Sequence, residues 1–196
     1  MSTTTNPQAP TRTEKELIAA SRPYASESKA QSWTAVLVTL VVLVGFWSGA
    51  ALAPHWALRV VFGILAGLTI VRMFILYHDY MHGAILRGSA LAKALFYVYG
   101  VVVMTPPRVW RDTHNYHHAN TAKIIGSHVG SYMMVTTGMW AKMSSRERFM
   151  YKAVRHPLTI LFGYFTVFML GMCVSPFVRK KKKNWDSAVS LLLNWT

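Results

Sequence analysis

Thiol is nearly missing from this chain. Its one cysteine, Cys173, lies in an apolar run, so no internal disulfide can form, and thiolate metal sites are argued against. Acidic side chains are also scarce, seven against 21 Lys and Arg, which leaves a formal net charge of +14. Between Thr34 and Ala53 charge disappears altogether. About 20 such residues at 1.5 Å each cover the roughly 30 Å hydrocarbon core of a bilayer, so a spanning helix is expected there. The stretch up to about Gln31 has the opposite deficit: it is polar, rich in Ser and Thr, without the apolar core of a signal peptide, and reads as a tail.

Apolar residues make up 53% of the chain. A second uncharged run starts at Val60 after a Pro54-His55 turn and reaches Leu76, broken only by Arg72, whose long side chain can snorkel or meet a polar site. The expected organisation is a tail over 1–31 and one membrane domain over 32–196. Its spans fall at about 33–53, 58–77 and 158–178, and the start of a further helix at 186–196. The fold class is therefore an all-α polytopic integral membrane protein. The basic residues flank the apolar runs instead of interleaving with aromatics on a soluble domain, so the positive charge speaks for membrane lipids with anionic headgroups and against nucleic acid. By the positive-inside rule, the basic stretches before the first span and between the second and third face the cytoplasm, making the first two helices an outward and return hairpin. The basic cluster at 179–183 opposes this pattern if 158–178 spans outward.

Histidine is what the chain does have in concentration. His78-Asp79-Tyr80-Met81-His82 and His114-Asn115-Tyr116-His117-His118 hold five of its eight histidines. Spacings of i, i+4 and i, i+3, i+4 stack imidazoles along one helix face and can aim them at one point. Neutral imidazole suits iron, copper, nickel and zinc, so metal ligation is favoured over packed or capping histidines. The two clusters can share a centre only from the same side of a membrane. Leu91 to Met104, about 14 residues and short of the roughly 17 a span needs, is therefore expected to be re-entrant or interfacial, ended by Pro106 and Pro107.

These residues carry a resemblance. His78-Asp79-Tyr80-Met81-His82-Gly83, followed by Trp110-Arg111-Asp112-Thr113 and His114 through Thr121, resembles the first two histidine boxes, HxxxH and HxxHH, of the membrane fatty acid desaturases. The flanking HDxxHG and HHANT forms are similar to acyl-lipid desaturases acting at the delta-12 or a neighbouring position, and the resemblance runs from about Ala35 to the C-terminus. It implies a fatty acid desaturase with a non-haem di-iron centre of two Fe ions and O2 as co-substrate. It further implies a cytochrome b5 or ferredoxin type electron-transfer protein and a fatty acyl lipid or thioester substrate. His78, His82, His114, His117 and His118 take the ligand roles. Asp79 and Asp112 point about 100° from the neighbouring imidazoles on a helix and are expected to orient imidazoles of the opposing segment, with capping or a surface salt bridge as the competing role. Asn115 and Asn120 are candidates for the same service, against simple helix-end capping. His128, in the glycine-rich Gly126 to Ser131 loop, is a possible further contact.

The chain departs from the resemblance in one respect. Family members carry a third box, HxxHH or QxxHH, whereas the only histidines beyond His118 are His128 and His156, each isolated. An apolar run from Ser187 to Trp195 stops at Thr196. The sequence is therefore expected to be the N-terminal part of a longer desaturase, with weak or absent iron on its own. Two rivals stand beside that expectation: a related di-iron hydroxylase or carotenoid ketolase, and an inactive membrane fragment that binds metal or a partner subunit.

Overall fold

The computed structural model describes residues 13–121, 123–125, 129, 133–180 and 182–195. Every regular element among them is helical, in the order α1 (Glu14–Ser21), a 3-10 turn (Arg22–Ala25), α2 (Lys29–Leu52), α3 (Trp56–Met81), α4 (Ala90–Val102), α5 (Pro107–Ala119), α6 (Thr137–Lys142), α7 (Ser145–Val154), α8 (Pro157–Leu161), a π-helix (Tyr164–Val174), α9 (Ser175–Arg179) and α10 (Trp185–Trp195). The chain divides into two compact units, Met1–Arg87 and Gly88–Thr196.

The first unit is the α2–α3 hairpin. Its helices, of 24 and 26 residues, are long and apolar enough to cross a membrane, about 36 and 39 Å at the helical rise. Hydroxyls inside these apolar helices are satisfied within their own turns: Thr39 donates to the Ala35 carbonyl at 2.7 Å and Thr69 to the Leu65 carbonyl at 2.8 Å. At the connection Arg59 closes the loop by donating from Nε to the Ala53 carbonyl at 2.8 Å. At Gly49 the two helices approach closely, because a Cβ there would stand 2.7 Å from Cγ of Phe62. The segment read as a tail holds α1, started by a capping box in which Thr13 and Glu16 exchange hydrogen bonds. The acid of that box is held below the ordinary carboxylate range, chiefly by the Thr13 backbone amide and then by its hydroxyl.

The second unit starts with α4 and α5, which meet at an 88° bend, the geometry of a broken or re-entrant segment. Local chemistry makes the corner. The Thr105 amide bonds back to the Gly100 carbonyl at 2.7 Å and the Met104 amide to the Val101 carbonyl at 3.3 Å, the two bonds of a Schellman cap. Met104 takes the left-handed position with φ of 55°, where glycine is usual, at a cost of about 1 kcal/mol offset by complete burial of its side chain. Pro106 and Pro107 follow: they cannot continue α4, but proline at the first helical position suits the start of α5.

The expected third span is not one regular helix. Residues 157–179 are wound as a short α-helix, an 11-residue π-helix and a second short α-helix. Gly163 and Gly171 lower helix propensity, the Thr166 hydroxyl reaches back to the Thr159 carbonyl at 3.1 Å, and Pro176 removes a donor. Tyr164–Arg179, taken alone, is apolar but shorter than a span.

Candidate metal centre

Both histidine clusters lie at the C-terminal ends of helices. His78 occupies the last turn of α3 and His82 is its C-cap residue, while His117 and His118 are in the last turn of α5. The orphan carbonyls of a helix C-terminus carry partial negative charge, so a cation held there gains about 0.3–1 kcal/mol before any ligand bond is counted.

The glycine that follows the first cluster has a structural reason. Gly83 sits at φ of 71°, its amide bonds to the Tyr80 carbonyl at 2.9 Å, and the Ala84 amide bonds to the Asp79 carbonyl at 2.9 Å. This too is a Schellman cap, and it fixes the turn carrying His82. The His78 and His82 rings stand 4.5 Å apart, edge to face. His78 Nδ1 lies 3.0 Å from Asp79 Oδ1. With the proton on Nδ1, the carboxylate holds the ring and leaves the Nε2 lone pair as the donor to a metal. Asp79 thus touches the imidazole beside it in sequence, where an imidazole of the opposing segment was expected. Past the cap, the Leu86 amide donates to Glu27 Oε1 at 2.5 Å, tying the exit of α3 to the approach of α2.

In the second cluster, His114 and His118 bring their Nε2 atoms to 3.0 Å. At this distance the two rings share a hydrogen bond, and the separation is also about that of two nitrogens each about 2.1 Å from one ion at a right angle, so the pair could open onto a metal with little movement. His114 is stacked on the buried Trp110 ring at 4.2 Å, one turn earlier, which restricts its rotation. His117 faces elsewhere, its ring 6.3 and 5.9 Å from those of His114 and His118. Its Nδ1 is buried with no hydrogen-bond partner among the described residues, an orphan that a metal or a donor group would satisfy. The residues therefore fit a metal held by imidazole.

The remaining candidates take other places. Asp112 pairs with Lys183 Nζ at 2.5 Å on the exposed side of α5, the salt-bridge role that competed with imidazole orientation. Asn120 caps α5: its amide bonds to the His117 and Tyr116 carbonyls, its Nδ2 to the Tyr116 carbonyl at 2.9 Å, and its Oδ1 accepts from Lys123 Nζ at 3.1 Å. Asn115 is exposed on α5. His128 lies outside the described residues. Trp110 escaped the sequence reading although its i, i+4 spacing to His114 was there to see; Lys183 and Asp186, more than 70 residues away from their partners on α5, left no local signal.

Apolar helices of spanning length, with imidazole pairs set at helix ends, are the features of a membrane protein whose histidines are compatible with metal binding. The particular family follows from comparison: the chain belongs to the fatty acid desaturase family, whose model matches residues 54–195. It is 24% identical over 160 residues to a fatty acid desaturase of Bacillus subtilis (strain 168), a match covering 81% of this chain and 44% of that protein. Over 99 residues it is 27% identical to an sn-1 oleoyl-lipid 12-desaturase of Anabaena variabilis, covering 50% of this chain and 28% of the relative. Over 83 residues it is 28% identical to an sn-1 acyl-lipid omega-3 desaturase (ferredoxin) of Synechocystis, covering 42% and 23%. The chain thus spans less than half the length of these relatives. No solved structure matches it.

Proposed function

We propose that this chain contributes the first two histidine clusters of a non-haem di-iron acyl-lipid desaturase, with His78, His82, His114, His117 and His118 as ligands. The observation that carries the reading is the 3.0 Å approach of the His114 and His118 Nε2 atoms at a helix C-terminus, in a family whose relatives are desaturases. Bound iron would supply reductive activation of dioxygen, by which an acyl CH2–CH2 unit, O2, two electrons and two protons give CH=CH and two waters. The chain's own residues do the rest. Asp79 keeps the His78 ring turned with Nε2 outward, Trp110 holds His114 by stacking, and the Schellman cap at Gly83 sets His82. The apolar helices offer a dry surface to an acyl tail. The abundant Arg and Lys between the clusters and the next apolar segment favour a cytoplasmic position for both clusters, within reach of a soluble donor of the ferredoxin or cytochrome b5 type.

Five imidazoles are fewer than two iron ions normally take, so weak binding by residues 1–196 alone is consistent with the proposal. The test is anaerobic titration of the detergent-purified protein with Co(II), followed by its visible spectrum. Saturable uptake that disappears in His114→Ala and His118→Ala, with helix content retained, is expected. Uptake no greater than that of a variant lacking all five histidines would refute metal ligation. Analysis of host lipids then separates chemistries, because desaturation leaves a carbon–carbon double bond and hydroxylation or ketolation retains an oxygen.

A further inference from the structure

The second histidine cluster is set by a carboxylate that is far from it in sequence. The N-terminus of α5 has few donors to satisfy: Pro106 and Pro107 carry no N–H, and the first intrahelical bond is Trp110 to the Pro106 carbonyl at 2.9 Å. Arg108 and Val109 are left as orphan amides, and Pro106 at the N-cap has no side chain that could accept from either. Asp186, in the first turn of α10 and 0% exposed, takes that role from outside, its Oδ2 accepting from the Arg108 amide at 3.2 Å.

Four further contacts surround this turn. Arg108 Nη1 donates to the Lys183 carbonyl at 3.1 Å, and its guanidinium lies over the Trp185 ring at 5.6 Å. Trp185 in turn packs against Tyr97 of α4, ring centroids 6.1 Å apart. Lys183 Nζ pairs with Asp112, one turn further along α5. The start of α10 therefore touches both arms of the 88° corner. The contributions are unequal. The Lys183–Asp112 pair is more than half exposed on both sides and falls among surface ion pairs of small net effect, whereas removing Asp186 would leave an orphan helix amide at a part-buried position.

We propose that Asp186 is a positioning residue for the metal centre: by capping α5 in trans it fixes the direction of the helix that carries His114, His117 and His118. This rests on the metal-ligand reading of those histidines. A buried carboxylate with one oxygen on a helix N-terminus and the other, Oδ1, without a hydrogen-bond partner among the described residues is a costly thing to keep unless it is held for such a purpose.

The experiment compares Asp186→Ala, Asp186→Asn and Lys183→Ala in the full chain, purified in detergent, by amide exchange and by Co(II) titration. Asp186→Ala is expected to speed exchange in the 107–119 segment about fivefold, as for a lost N-cap, with residues 56–77 unchanged, and to weaken Co(II) binding at least tenfold. Asp186→Asn keeps an acceptor of the same shape and is expected to stay within about twofold of wild type on both readouts, as is the exposed Lys183→Ala. Wild-type exchange at 107–119 in Asp186→Ala overturns the proposal, and so does an equal rise along the whole chain, which would mark a general lesion. If the wild-type protein takes up no Co(II), the metal reading fails while the exchange pattern still decides the brace. If exchange rises locally but Co(II) affinity holds, Asp186 is a cap without consequence for the metal.

Discussion

Replacing Gly49 with alanine tests the packing of α2 on α3 at one atom. A Cβ at this position meets Cγ, Cδ1 and Cδ2 of Phe62 at 2.7, 2.9 and 2.8 Å, all inside van der Waals contact. Rotation about χ2 does not relieve the clash, since Cγ lies on that axis; the ring must change χ1 or the helices must part. Overpacking of this kind costs about 1–3 kcal/mol. Alanine also returns up to about 1 kcal/mol of helix propensity, so a net loss of about 0–2 kcal/mol is expected. The cycle with Phe62→Ala isolates the contact: with Cγ gone, Gly49→Ala should become stabilising by up to about 1 kcal/mol, a coupling of about 1–3 kcal/mol. Gly63, whose added Cβ would meet nothing within 4 Å, supplies the control, and Gly63→Ala should stabilise in either background. The assay is unfolding in mild detergent titrated with SDS, followed by far-ultraviolet circular dichroism. Equal effects of Gly49→Ala with and without the Phe62 ring would refute the close approach.

Gly83→Ala forces a Cβ into the left-handed region at φ of 71° and should cost about 1 kcal/mol, with Co(II) affinity falling because His82 loses its fixed turn; unchanged affinity would separate the cap from the centre. Glu27→Ala removes the acceptor of the Leu86 amide and should cost about 1 kcal/mol, read as faster exchange of that amide, while Glu27→Gln should restore most of the protection. Glu147 accepts from Ser144 in the capping box of α7, and the Ser144 backbone amide, then its hydroxyl, lower its pKa from the ordinary 4.5. A depressed carboxylate contributes to α7 in full above its unfolded value and loses that contribution as pH falls through the lower, folded one, so α7 should fray as the solution is acidified below the ordinary carboxylate value. Carboxyl carbon shifts of Glu147 against pH check this, and a midpoint at or above 4.5 would contradict it.

Composition carried the apolar hairpin, since an uncharged run as long as 34–53 matches the length of a spanning helix and the structure forms one of 24 residues there. A 14-residue apolar run ended by two prolines also pointed to an interruption after 91–104, and the chain turns by 88° there, as a broken span or a re-entrant loop would. The histidine spacing was equally legible, as i, i+4 pairing is a property of the helix alone. What the sequence hid was long-range or rested on backbone geometry. Asp112 looked like a partner for imidazole because it stands beside the second cluster, yet its salt bridge is to Lys183, a choice that no window of sequence contains. The π-wound stretch at 164–174 reads as an ordinary apolar run because hydropathy is blind to how a helix is wound.

The scarcity of acid makes its placement informative. Of seven carboxylates, four accept from backbone amides: Glu16 from Thr13, Glu27 from Leu86, Glu147 from Ser144 and Asp186 from Arg108. Two meet side chains, Asp79 at His78 and Asp112 at Lys183. Glu14 stands in the first turn of α1, where the helix dipole favours it. Among the described residues only Asp79 is engaged with a histidine, on the ring nitrogen opposite the proposed donor Nε2. Among the described residues, a metal at the clusters would therefore draw on neutral imidazole. The helix C-termini beneath both clusters add a modest negative potential that favours a cation there, about 0.3–1 kcal/mol. On this reasoning, moving a carboxylate into the set, as in His118→Asp, should favour a harder, oxygen-preferring cation over one that prefers nitrogen, and competition between Mn(II) and Co(II) measures that exchange. An unaltered preference would mean that His118 is not a ligand.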